Sequence, residues 1–194
     1  MGRTLAGIVT LIFIFQFLFF GIAHAMPSPA DTVLDSLTIE MCKKAPVPKD
    51  YPDAREVFLF GEKKIALFND GGYRIEWRDV NKILTFSGKR DLSNIKYNYD
   101  SDYERIDISR ARSITMNDDS SFAVAVTESL QINDITPPGL SDAAIYSALK
   151  QRVVTIPGAV DSSIVDIAGT ITTFAKPKRE FLNLASTRSR PHRY

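Results

Sequence analysis

Between Tyr73 and Trp77 the chain reads "YRIEW", with Tyr73, Ile75 and Trp77 on one parity and Arg74, Glu76 and Arg78 on the other. A period of two is the signature of a half-buried strand. Before it, "EVFLFGEKKIALF" is apolar, β-branched or aromatic at many positions, and Gly61 is a candidate bulge. "NDGG" at Asn69 to Gly72 joins the two segments, and its glycines reach positive φ at no steric cost, so a hairpin is predicted. A second hairpin is predicted from "RIDISRARSIT" and "SFAVAVT" around the turn "MNDDS", and a third from "YSALKQRVVTI" and "IVDIAGTITTF" around "PGAVDSS". Six strands joined by short turns, with no strand–helix–strand crossover, predict an all-β fold: an antiparallel β-sandwich or twisted sheet built from hairpins.

A few segments break this pattern. In "DTVLDSLTIEMCKK" the apolar Val33, Leu34, Leu37 and Met41 are spaced by three and four, which predicts a short amphipathic helix with Asp31 as N-cap. Pro46 and Pro48 end it. This helix belongs to a leader segment, residues 26–49, ahead of a β-rich domain over 50–178. "NDITPPGLSDAAIYSA" holds a Pro-Pro-Gly stop, then a short helical turn capped by Ser141 or Asp142. From residue 179 to 194 the chain is basic and loses all periodicity beyond Ser186, so a disordered tail is expected.

The first 25 residues read as a signal peptide. Arg3 precedes an almost unbroken apolar run from Leu5 to Phe20, and Ala23-His24-Ala25 is a small-x-small cleavage site. A periplasmic or secreted location follows. The rival is an uncleaved anchor, since the run approaches the ~20 residues that span a bilayer. Only in that case is a membrane a partner.

Charge and rare residues then narrow the chemistry. Residues 26–175 carry 17 basic and 22 acidic side chains, and residues 176–194 carry six basic and one acidic. An acidic body with a short basic tail is no footprint for nucleic acid. One cysteine, Cys42, permits no internal disulfide and reads as a free thiol in a loosely held leader. The two histidines are His24, which leaves with the signal peptide, and His192, in the tail. A Ser-His or Cys-His pair needs a histidine held by a rigid frame. The same shortage excludes histidine- and thiolate-ligated zinc. No catalytic residue, metal ligand or cofactor site is therefore predicted.

"YNYDSDYERIDISRARSIT" concentrates what polar chemistry remains. Asp100, Asp102 and Glu104 are spaced by two, but the sixth position of a calcium loop starting at Asp100 is Arg105 where glycine is needed. One continuous strand would put Asp102 and Glu104 on the face of Ile106 and Ile108, and burying unpaired acids is costly. The regular strand is thus expected to begin near Arg105, with "NYDSDY" as a turn or edge entry. Arg110 and Arg112 share the isoleucine parity too, which calls for a bulge at Ser109–Ala111 or an exit from the core. Tyr97, Tyr99 and Tyr103 are candidate ligand-binding rings for a sugar, against the plainer reading of rings capping a sheet edge. Trp77 is expected in the core.

Three landmarks carry a resemblance: "YPDAREVFLF", "YNYDSDYERIDISRARSITMNDDS" and "INDITPPGLSDAAIYSALKQRVVTIPGAVDSSIVDI". In this order they resemble domain-of-unknown-function family 3857. That resemblance spans roughly Asp50 to Lys178. It implies an exported bacterial β-domain that precedes a transglutaminase-like domain, with no agreed activity and no functional residue to carry over. The chain departs from that pattern by lacking a transglutaminase-like core and by ending the β-domain early, in the Arg/Ser-rich tail. The expected function is a non-catalytic module that partners an envelope protein or a transglutaminase-like enzyme supplied separately. The alternatives are a cell-envelope glycan binder and a truncated remnant without independent function.

Overall fold

The computed structural model describes residues 32–139 and 148–174. They form eight strands: β1 Glu56–Leu67, β2 Tyr73–Ile83, β3 Asn94–Asp100, β4 Glu104–Met116, β5 Phe122–Val126, β6 Ile132–Ile135, β7 Leu149–Thr155 and β8 Ile164–Thr173. Two helices accompany them, α1 Ser36–Lys44 and α2 Phe86–Leu92. The strands make two antiparallel sheets, one ordered β1-β2-β8-β4-β5 and one ordered β3-β7-β6. The all-β class is as expected. No helix among the described residues is long and apolar enough to cross a membrane.

The period-two pattern fixes which face of the large sheet is which. Trp77, Ile83, Ala111, Val165 and Ile167 face the small sheet and meet Val154 and Ile156 from it and its following loop. The opposite face carries Val80, Ile114 and Ile164, which α1 covers with Cys42 and Met41. The order of layers is helix, five strands, three strands. Cys42 is thus a buried core thiol, 5% exposed, and not part of a loose leader. Its segment is fixed because apolar side chains at helical spacing have a sheet face to cover. The cap is Asp35, whose Oδ1 accepts from Thr38 N at 2.7 Å. Asp31 lies outside the described residues, as do the signal peptide, the Ser141/Asp142 turn and the tail.

The β1–β2 hairpin and its turn form as predicted, with Gly71 at φ 88°. The bulge falls between Phe58 and Phe60 rather than at Gly61. Gly61 serves packing instead, since a Cβ there would stand 2.3 Å from the Phe58 ring. In β4 the register slips between Ile108 and Arg110, at the position where parity demanded a bulge. Ile106 and Ile108 therefore face the small sheet, while Arg110, Arg112 and Ile114 face α1.

The third predicted hairpin does not exist. β7 is the middle strand of the small sheet and β8 the middle strand of the large one. Residues 156–163 carry the chain between layers, with Ile156 3% and Ala159 7% exposed and Gly158 at φ 64°. A two-residue turn keeps neighbours in one sheet, whereas a longer link can cross the ~10 Å between packed sheets. The expected turn or edge entry, "NYDSDY", is split: Asn98 to Asp100 end β3, a full strand at the edge of the small sheet. Its Ile95, Tyr97 and Tyr99 alternate inward, and only Ser101 to Tyr103 turn. β4 then starts at Glu104, one residue before the expected Arg105. α2 and β6 have no counterpart in the prediction. α2 forms because Thr85 caps Gly88 N and because Gly88 alone fits beneath the Arg55 carbonyl, 2.1 Å from where a Cβ would sit.

Candidate functional site: two arginine–aspartate centres and a bare sheet edge

Asp166 is the one acid in the apolar run of β8, and it is fully buried on the α1 face. β2 and β4 flank β8 and bring arginines from both sides. Arg78 Nε donates to Asp166 Oδ1 at 2.9 Å, and Arg78 Nη2 to Oδ2 at 3.1 Å. Arg112, 1% exposed, donates from Nε and Nη2 to Oδ2 at 2.9 and 2.8 Å. Arg110 Nη1 lies 3.6 Å from the same oxygen. Two of these groups reach onward to the α1 segment. Arg78 Nη2 donates to Thr38 Oγ1 at 2.6 Å, and Arg112 Nη1 to the Val33 carbonyl at 3.0 Å. The centre clamps three strands and the start of α1 together. Above it, burial pushes the Cys42 thiol up, with the Asp166 charge adding to the effect. A buried thiol of raised pKa is unreactive.

The second centre joins the sheets at their other side. Arg152 on β7 grips Asp134 on β6 through Nε at 2.8 Å and Nη2 at 2.5 Å. Its Nη1 donates to the Ile106 carbonyl of β4. The guanidinium lies 5.7 Å from the centre of the Tyr99 ring. Hydrogen bonds from Arg152 hold the Asp134 carboxyl below its ordinary range. Burial, then the hydrogen bond to Asp134, raises the Tyr99 hydroxyl.

The candidate tyrosines fall in three different settings. Tyr97 packs on Trp77 with ring centres 5.1 Å apart. Tyr99 is buried, and Tyr103 is half exposed on the turn. They do not form a common platform. The acids near them fasten the β3–β4 turn: Asp102 N donates to Asp100 Oδ1 at 3.0 Å, and Asp100 N to Glu104 Oε2 at 3.4 Å. Among the described residues no three His, Cys, Asp or Glu side chains converge as a metal site. The depressions are shallow and open. One of about 350 Å³ is lined by charged Glu62, Lys64, Arg74, Glu76 and Arg78, and one of about 380 Å³ lies between α1 and β1.

β1 is the remaining feature. It borders the large sheet and pairs only with β2 among the described residues. At 12 residues it far exceeds the opposite edge, β5, at five. Ile65 is 64% and Leu67 78% exposed, although their partner Ile75 is partly buried and Tyr73 is buried. Neither Ile65 nor Leu67 belongs to the core between the sheets.

These observations define a two-sheet antiparallel domain whose buried charges hold its layers together. The chain belongs to DUF3857, a family of domains of unknown function with solved structure, whose model matches residues 69–189. The match extends into the segment read as a tail. No curated protein matches the chain. A crystal structure of a "putative protease" from Parabacteroides distasonis shares the fold, with 17% identity and a TM-score of 0.53. The alignment covers 62% of this chain and 23% of that one, so this chain corresponds to a minor part of the larger protein.

Proposed function

We propose that the chain is an exported, non-catalytic β-domain that works as an accessory module, docking on an envelope protein such as a transglutaminase-like enzyme. The observation that carries this reading is the β1 edge. A long strand with one side unpaired offers a row of backbone donors and acceptors, and strand addition is a common way to use them. The interior supports it as well. Asp166 is saturated by arginines and Asp134 is gripped by one, and neither lines the depressions described above. The signal-peptide pattern supplies the compartment. The transglutaminase-like neighbour that the sequence resemblance implies points to the class of enzyme.

Affinity-tagged full chain in its own bacterial envelope, cross-linked before solubilisation, tests the reading. A reproducible stoichiometric protein partner is expected, together with a periplasmic or secreted fraction that begins at Met26. A monomer with no cross-linked partner would overturn it.

A further inference from the structure

The β1 edge is chemically specific. After the bulge, Lys63, Ile65 and Leu67 point to the small-sheet side, opposite Trp77, Ile75 and Tyr73 of β2. Glu62 and Lys64 point to the other side, where they already pair with each other at 3.1 Å. The small-sheet side of the edge is thus two bare aliphatics followed by a cation. More apolar surface adjoins its Leu67 end. Phe68, Tyr103 and Phe174 are 43, 51 and 59% exposed there, where Phe174 N donates to the Tyr103 carbonyl and Thr173 meets Tyr73.

An edge strand with central charges and a bulge resists indiscriminate pairing, because an incoming strand must match the charge or leave it unpaired. Opposed side chains on one face stand about 5 Å apart, close enough for opposite charges and aliphatic pairs to select a register. Resting on the accessory-module reading, we infer that β1 takes an antiparallel extended segment of its protein partner, with apolar side chains opposite Leu67 and Ile65 and a carboxylate opposite Lys63. In sequence the segment reads apolar-x-apolar-x-acid, with β-branched residues favoured. The added strand extends the large sheet to six and covers the exposed Ile65 and Leu67.

The probe is a fluorescent peptide, Thr-Val-Thr-Val-Thr-Glu-Thr, titrated against the full chain. Saturable binding is expected. The charge-reversed protein, Lys63→Glu, should lose about fivefold to tenfold in affinity and recover it on the peptide with Lys in place of Glu. Methylating alternate backbone nitrogens of the peptide should abolish binding in one of the two possible sets and spare it in the other. No binding by the native chain, equal binding of both charge forms, or equal tolerance of both methylated sets would overturn the inference. Lys63 lies on the surface edge, and circular dichroism establishes that the variant folds. Envelope cross-linking reports separately: a captured partner with no peptide binding retains the accessory reading and removes the proposed register.

Discussion

The two arginine–aspartate centres use the same pair of side chains for different ends. Asp166 is wholly buried and receives four hydrogen bonds from two arginines, with a third arginine beside it. Asp134 has a side chain 35% exposed and meets one arginine that is itself 20% exposed. The first sits within one sheet and extends to α1; the second bridges the two sheets through the Ile106 carbonyl. Burial decides what each is worth. Removing one member of a buried ion cluster leaves uncompensated charge in a low dielectric, whereas water screens a half-exposed pair and accepts its stranded partner. The Asp166 centre is therefore a requirement for the layers to close, and the Asp134 centre a fastener added to layers already closed.

The largest expected effect is that of Asp166→Asn. It strands Arg78 and Arg112 under α1 and should cost about 3–5 kcal/mol. Urea denaturation followed by the single tryptophan, Trp77, measures it. A loss below about 1 kcal/mol would show that water reaches this centre and that the contrast between the two is false. Next comes Asp35→Ala, which removes the α1 cap and a neighbour 3.5 Å from Arg78. A cost of about 1–2 kcal/mol is expected. Faster labelling of Cys42 by a thiol reagent should accompany it, because the helix that buries the thiol is loosened.

Asp134→Asn should cost less, about 1 kcal/mol at pH 7, given its exposure. Its pH dependence has a definite sign. The carboxyl is held below its unfolded value of about 3.9 by the Arg152 hydrogen bonds. Its contribution is therefore complete above that value and is lost as pH falls through the lower folded value. The stability gap between native chain and variant should be flat from pH 7 to about 5 and close below about 4. A gap that instead widens in acid would mean that Arg152 does not hold this carboxylate in solution.

What the sequence disclosed follows the range of the interactions. The β1–β2 hairpin was legible because "NDGG" and the alternation after it are local. The β4 bulge was legible because isoleucines and arginines on one parity are incompatible with one regular strand. The β7–β8 crossing was not, since "PGAVDSS" marks a chain reversal without saying which sheet receives the next strand. β3 was hidden by its own acids, which cluster at its end while Ile95, Tyr97 and Tyr99 alternate inward. Asp166 did leave a signal: a lone acid in "IVDIAG" cannot stay buried without a cation. Arg112 in "SRARSIT" supplied one, but joining them required knowing that β8 lies beside β4.

The smallest effect expected is that of Tyr99→Phe, and it separates the parts of the exposed centre. Tyr99 contributes a ring under the Arg152 guanidinium and a hydroxyl bonded to Asp134. The variant keeps the ring and loses the hydroxyl, so it reads the hydrogen bond alone. Asp134 retains both bonds from Arg152 and is partly hydrated, so water can replace what the hydroxyl gave. A loss of about 0.5 kcal/mol or less is expected, with the acid limb of the Asp134 profile almost unmoved. Tyr99→Leu removes the ring as well and should cost more, through lost cation–π attraction and packing. Equal losses from the two variants would assign the whole contribution to the hydroxyl. The second centre would then resemble the first, a saturated polar cluster sealed from water.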